Sequence, residues 1–445
     1  MEGRVVIVGG GLAGAEAAFQ VATRGGHAVL FEMKPGRRSP AHTLDTLAEL
    51  VCSNSLKSND IGTASGLLKA EMRRMNSLVL AVAEETSVPA GGTLAVDREA
   101  FSVRVTERLK EAGVEIVTEE VTSIPDDSPV VIATGPLTSE AFAASINEHV
   151  GTENLYFYDA VAPIVYAESI DTEKTYMASR YDKGPADYMN CPMNTAEYEA
   201  FVSALIEADS VVPHEFESTP YFEGCMPIEA LAERGPDTLM FGPMRPVGLV
   251  DPRTGRRPHA VVQLRRENTE GTLYNLVGFQ TRLKFSEQKK VFSMIPGLES
   301  AEFARLGKLH RNTYIDSPRL LTRFQRLSSE PRIFFAGQIT GVEGYMESAL
   351  SGLLAGINSL LVASGTSPCV VPPPETISGA LMRYISGDGA DTGEDSKRPF
   401  QPMNSNFGLL SAPEIRNKKE RRAKQVELAI AAMDRWANES LQPND

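Results

Sequence analysis

Two of the four cysteines stand in segments suited to covalent chemistry. Cys52 lies in Val51-Cys52-Ser53-Asn54-Ser55-Leu56, a polar loop of small residues. A helix pattern carrying Lys69, Glu71, Arg73 and Arg74 follows it. Partial exposure near positive charge would favour the thiolate, the nucleophilic form. Cys225 lies in Phe222-Glu223-Gly224-Cys225-Met226-Pro227, read as an exposed turn with Glu223 and Glu229 nearby in sequence. Asn190-Cys191-Pro192 and Pro368-Cys369-Val370 read as structural. The competing reading for any one of the four is a small buried side chain. No two cysteines are close enough for a CxxC pair and the chain has 6 histidines, so a zinc site is not expected and no metal is assigned.

The second chemical feature is a glycine pattern. Gly9, Gly11 and Gly14 form G-x-G-x-x-G, with Gly10, Leu12 and Ala13 between them. The pattern follows the β-branched run RVVIV and opens an alanine-rich helix. One glycine permits a tight turn, the next lets backbone approach a pyrophosphate, and the last lets helix pack on strand. The helix N-terminus adds free N–H groups and a positive dipole end. Glu32 ends the next strand, HAVLFE, 18 residues after Gly14, where a carboxylate can bind ribose hydroxyls. These features together predict a bound dinucleotide. An S-adenosylmethionine site shares the strand, glycines and acid. It does not require Ala133-Thr134-Gly135, nor the late run Phe335-Ala336-Gly337 followed by Gly341, Gly344, Tyr345 and a long helix from about Gly344 to Ala363. That late segment suits a flavin, whose N1/O2 edge a helix N-terminus can face. FAD is therefore the expected cofactor. No second G-x-G-x-x-G exists, so no separate nicotinamide domain is expected.

These residues need a scaffold. The fold class predicted is α/β: a Rossmann-like FAD-binding domain with an inserted mixed α+β domain. Strands are expected at 4–8 and 27–32, a helix at 97–112, then strands in VEIVTEEVTSI and SPVVIATG. Residues 1–154 form the first part of the FAD domain. Residues 155–325, rich in aromatics and in alternating runs such as HAVVQLR and LYNLVGFQ, form the insertion. Residues 326–366, with strand RIFFAG and a long small-residue helix, resume the first domain. Residues 367–445 carry a Pro-rich hinge, a polar loop GDGADTGEDSKRP expected to be mobile, and a basic helix over 413–438.

Of the 445 residues 42% are hydrophobic and 23% charged, an ordinary globular balance. No run reaches the ~18 apolar residues of a membrane span, and MEGRVVIVGGG is not a signal peptide. A cytoplasmic protein with reduced thiols is expected. The net charge of −14 excludes indiscriminate nucleic-acid binding but not a local basic face. Arg416, Lys418, Lys419, Arg421, Arg422 and Lys424 surround a single Glu420. Arg253, Arg256, Arg257, Arg265 and Arg266 form a second group. Either is also compatible with a plain solvated surface.

The runs GGGLAGAEAA, FEMKPGRRSPAH, VCSNSL, LLKAEMRRMNSL, VPAGGTLAVDRE, ATGPLTSEA, DYMNCPM, FEGCMPIEALAERG, FGPMRPVGLVDPRTG, AVVQLRREN, LVGFQTRLK, HRNTYI and AGQITGVEGYMESALSGLLAG stand in collinear order from residue 3 to about 425. They resemble the folate- and FAD-dependent tRNA (uracil-5-)-methyltransferase family. The resemblance implies methylation of the T-loop uridine at position 54 of tRNA, recognised through its T-arm. The carbon would come from 5,10-methylenetetrahydrofolate, with reduced FAD as methylene carrier and reductant and NAD(P)H as electron source. Cys52 and Cys225 match the family's two functional cysteines. Cys225 is expected to attack uracil C6, with Cys52 on the flavin side; the two roles could be exchanged. Arg256, Arg257, Lys418, Lys419, Arg421 and Arg422 would meet RNA. A weaker resemblance is to the larger flavoprotein that modifies wobble uridine. Two further readings are a flavoprotein oxidoreductase with no RNA partner, and a noncatalytic tRNA-binding protein that keeps FAD as structure.

Overall fold

The computed structural model describes residues 3–39, 41–126, 128–151, 155–182, 185–211, 226–368, 370–387 and 400–441. Cys225, Cys369 and nearly all of the polar loop GDGADTGEDSKRP lie outside them.

Five short strands make one parallel sheet, in the order Ile333–Phe335, Val130–Ile132, Arg4–Val8, His27–Glu32, Glu115–Thr118. Val5, Val6 and Ile7 are buried on both faces, as the strand of a covered parallel sheet requires. The late strand pairs with Val130–Ile132, so residues beyond 330 complete a sheet begun at residue 4. The expected strand in VEIVTEEVTSI is only Glu115–Thr118; Glu119 and Glu120 turn away to the cleft described below.

Helix Leu12–Thr23 lies against helix Tyr345–Ala363. A Cβ on Gly352 would sit 2.0 Å from the Ala13 carbonyl oxygen, so the two backbones approach to a distance only glycine allows. Tyr345–Ala363 is long and apolar enough to cross a membrane, yet 83% of its most apolar window is buried inside the molecule. It is a core helix here. Helices Ile377–Ser386 and Lys418–Ser440 belong to the same core through Ile377, Leu381, Ile385, Ala429 and Met433. The last helix starts at Lys418, not near 413, because the Asn417 side chain accepts from the Lys419 and Glu420 N–H groups and caps it.

The chain leaves this body along Leu155–Ala160 and returns along Leu309–Tyr314, which pair antiparallel over six residues. Between them lies an antiparallel six-stranded sheet: Tyr176–Met177, Tyr188–Met193, Ala260–Arg266, Leu273–Leu276, Ile164–Tyr166, Phe303–Arg305. Alternation sorts its faces. Cys191, Val262 and Leu264 join a core with helices Thr195–Glu207 and Phe285–Phe292. Asn190, Gln263 and Arg265 point the other way, and Gln263 donates to Asn190 at 2.9 Å. Cys191 is fully buried, and burial pushes its thiol far up, so it is an inert core side chain as expected.

Candidate active site

A cleft opens at the carboxyl ends of the parallel strands, where open α/β sheets take ligands. Gly9, Gly10, Gly11, Leu12, Ala13 and Glu32 line one wall. Ala133, Thr134, Gly135, Gly337 and Tyr345 line the others. The last two glycines of the fingerprint differ sharply. A Cβ on Gly11 would meet nothing within 4 Å, so its backbone faces the open cleft. A Cβ on Gly14 would lie 1.8 Å from the Gly9 carbonyl oxygen, so Gly14 serves close packing and does not line the cleft. Gly344 also stands behind the wall. It caps helix Tyr345–Ala363 at φ 123° and leaves room for Glu347.

The Glu32 carboxylate is fixed by two backbone donors, Gly10 N–H at 2.8 Å and Lys34 N–H at 3.0 Å. Each oxygen keeps a lone pair for a further donor. Lys34, His42 and Glu49 form a polar wall that sequence reasoning missed. Lys34 Nζ donates to the Thr46 carbonyl at 2.6 Å and lies 3.9 Å from Glu49. Burial lowers the Lys34 ammonium pKa, against the pull of Glu32 and Glu49. Burial, then Lys34, lowers that of His42, which keeps the imidazole neutral near pH 7. The only local signal was a lysine two residues beyond Glu32.

Cys52 sits half exposed beside this cleft. Its neighbour Val51 lines the cleft, and the Tyr345 hydroxyl accepts from the N–H groups of Cys52 at 2.8 Å and Ser53 at 3.1 Å. The loop is held from every side. Arg98 donates to the Leu50 carbonyl, and Arg305 to the carbonyls of Val51 and Cys52 at 3.3 and 3.2 Å. Arg265 crosses from the inserted sheet to donate to Asn54 Oδ1 at 2.9 Å and Ser53 Oγ at 2.8 Å. Glu267 pairs with Arg98 at 2.6 Å. Burial, then Arg98, brings the Arg305 pKa down to about 10, and it stays charged at neutral pH.

The charge around Cys52 therefore has a source the sequence did not suggest. Lys69 is buried and donates to the carbonyls of Ser58 and Ser65. Arg73 pairs with Glu84 and Arg74 with Asp434. Glu71 caps helix Ile377–Ser386. The guanidinium groups that matter come from Arg98, Arg265 and Arg305.

The second arginine group divides. Arg256 and Arg257 are exposed. Arg253 pairs with Asp251 at 2.8 Å, Arg265 is buried at the Cys52 loop, and Arg266 faces the Tyr274 hydroxyl. Lys418, Lys419 and Arg422 are exposed and Arg421 half-buried, all in the first two turns of their helix. Arg422 lies over the Phe407 ring at 5.5 Å. Cations at a helix N-terminus oppose the macrodipole, so these residues do not serve the helix itself. Among the described residues no three His, Cys, Asp or Glu side chains converge as metal ligands would.

Residues 4–367 match the family described as glucose inhibited division protein A. The chain is 58% identical to the methylenetetrahydrofolate--tRNA-(uracil-5-)-methyltransferase TrmFO of Geobacter sulfurreducens, over 98% of this chain and 99% of that protein. It is 54% identical to the protein of the same name from Moorella thermoacetica, over 98% of each. Among solved structures, Aquifex aeolicus GidA superposes with a TM-score of 0.70 at 16% identity, covering 98% of this chain and 74% of that one. That last likeness speaks for the fold.

Proposed function

The chain belongs to the glucose inhibited division protein A family, and within it to the methylenetetrahydrofolate--tRNA-(uracil-5-)-methyltransferases; from that membership we propose how its own residues carry out the reaction. It methylates uracil C5 in tRNA with a carbon from methylenetetrahydrofolate. The uridine is that of the T-loop at position 54, reached through the T-arm, and NAD(P)H supplies electrons. The carrying observation is that the half-exposed Cys52 hangs by its backbone from Tyr345 at the wall of the nucleotide cleft.

The cleft fits FAD. Gly11, in the Gly9–Ala13 run that lines the cleft, offers open backbone for a pyrophosphate, Glu32 a fixed carboxylate for ribose hydroxyls, and the Tyr345 helix an N-terminus for the flavin edge. Bound there, FAD supplies redox and one-carbon carrier chemistry. The protein's own part is nucleophilic. Uracil C5 is a poor nucleophile until a thiolate adds to C6 and pushes electron density onto C5. After C5 has taken the carbon, its proton leaves to a base and the thiolate is expelled, restoring the C5–C6 double bond. Cys225 is assigned the attack, and Cys52, at the flavin side, the shielding of the one-carbon unit or removal of the C5 proton. Arg98, Arg265 and Arg305 orient the Cys52 loop through its carbonyls and side chains.

The test uses unmodified tRNA transcript, methylenetetrahydrofolate labelled in its methylene carbon, and NADPH. Labelled 5-methyluridine at position 54 is expected, and none in a transcript carrying cytidine there. Label arriving only from S-adenosylmethionine would overturn the reading.

A further inference from the structure

Away from the cleft, an open groove runs between the short helix Thr238–Phe241 and the segment Arg257–His259. Pro246 and Val247 form its apolar floor. Phe241 stands at its rim, 84% exposed, the most exposed large apolar side chain among the described residues. The His259 ring is held edge-on to Tyr198 at 5.3 Å. Arg257 lines the groove, and Arg245 and Arg256 adjoin its lining residues in the chain; all three are exposed and make no ion pair among the described residues. In a chain of net charge −14, an exposed aromatic ring with three exposed arginines close to it in the chain stands out. A ring that can stack on a base, with cations nearby that can meet phosphates, is the combination used for single-stranded nucleic acid.

The groove is also built into the frame of the active site. Arg180 donates to the Val247 carbonyl at 3.0 Å and to Gln263 at 3.0 Å. Gln263 shares its sheet face with Arg265, which grips the Cys52 loop. Strand Ala260–Arg266 thus starts beside the groove and ends at the loop, ~20 Å away at ~3.3 Å per residue.

We infer that this groove binds an unpaired stretch of the tRNA substrate, distinct from the nucleotide that is methylated, with a base stacked on Phe241 and phosphates against Arg256 and Arg257. The inference rests on the tRNA reading above and extends it to a second contact.

Fluorescence anisotropy with unmodified tRNA tests it, on the flavin-loaded protein and its Phe241→Ala, Phe241→Trp and Arg257→Ala variants. Flavin absorbance and thermal melting control for folding. Phe241→Ala should raise Kd about tenfold with an unchanged salt slope, and Phe241→Trp should restore it. Arg257→Ala should weaken binding and lower the slope by about one. Wild-type Kd in both alanine variants would overturn the groove while leaving the tRNA reading intact. Failure of the unaltered protein to bind tRNA would overturn both. If Phe241→Ala instead dissociates a dimer in sedimentation and spares RNA affinity, the groove belongs to a second copy of the chain and the inference falls.

Discussion

The Tyr345 hydroxyl lies 2.8 Å from the Cys52 backbone nitrogen and accepts its hydrogen bond across 293 residues of sequence. The same oxygen accepts from Ser53, and burial, then Cys52, pushes the phenol pKa up, so it stays protonated. One side chain therefore lines the nucleotide cleft and holds the thiol loop. Tyr345→Phe would strand two N–H groups, at about 1–3 kcal/mol of local stability. FAD should be retained, while kcat/KM for tRNA methylation falls by roughly tenfold or more as the loop geometry relaxes. Unchanged turnover at full flavin content would show that the bond does not position the thiol.

Two glycines of one fingerprint should fail differently. Gly11→Val sends its Cβ into the open cleft, where it meets no protein atom within 4 Å, so a folded protein lacking flavin is expected. Gly14→Ala drives a carbon into the Gly9 carbonyl and should cost ~3 kcal/mol or more, lowering expression and Tm. Flavin absorbance and circular dichroism on both variants separate the outcomes. A Gly11→Val protein with full flavin content contradicts the cofactor site.

The thiol assignment is tested by trapping. Uracil with fluorine at C5 cannot lose a proton there, so a T-arm RNA containing it should stay covalently attached to the attacking cysteine. Cys225→Ala is expected to lose both adduct and methylation, and Cys52→Ala to lose methylation but keep FAD. Cys191→Ala should keep its activity at a stability cost of roughly 1–2 kcal/mol, since its side chain is wholly buried. An adduct that survives in Cys225→Ala and vanishes in Cys52→Ala reverses the roles.

Replacing Lys418, Lys419, Arg421 and Arg422 with alanine should weaken tRNA binding. Its salt dependence should flatten by about one unit of slope for each phosphate that no longer meets a cation. The helix itself should be no less stable, because cations are removed from its positive end. An unchanged slope would assign the run to plain surface.

Glu71 carries a pH signature. Burial raises its pKa to about 7 against an ordinary 4.5, although Ser378 and Ile377 donate hydrogen bonds to it. The folded protein therefore holds a proton that the unfolded chain releases between these values. Stability should fall as pH rises through that window, and Tm at pH 8 should lie below Tm at pH 5. Glu71→Gln should reduce the slope; an identical profile would remove Glu71 as its source.

Some of this is set locally and can be read from the chain. The strand, glycines and helix around Gly9, Gly11 and Gly14 act through neighbours a few residues apart, so their spacing carries both structure and ligand. Glu32 follows because a βαβ unit has a set length. Capping likewise depends on adjacent residues, although the basic helix begins after Asn417, several residues later than its sequence pattern suggests. The surroundings of Cys52 have no such local code. Arg98, Arg265 and Arg305 reach the loop from two bodies and three elements, with Glu267 paired to Arg98 behind them, and nothing near Cys52 in sequence names them. Lys69, Arg73 and Arg74 are closer in sequence and go elsewhere, because their helix turns one face into the core and the other to solvent. The same holds for the arginines of the insertion. Adjacent positions on a strand point to opposite faces, and only the packed sheet decides that Arg265 is internal while Arg256 and Arg257, in the turn before it, stay exposed. Sequence spacing settles what neighbours do together; which distant charges share a site depends on how two sheets are docked.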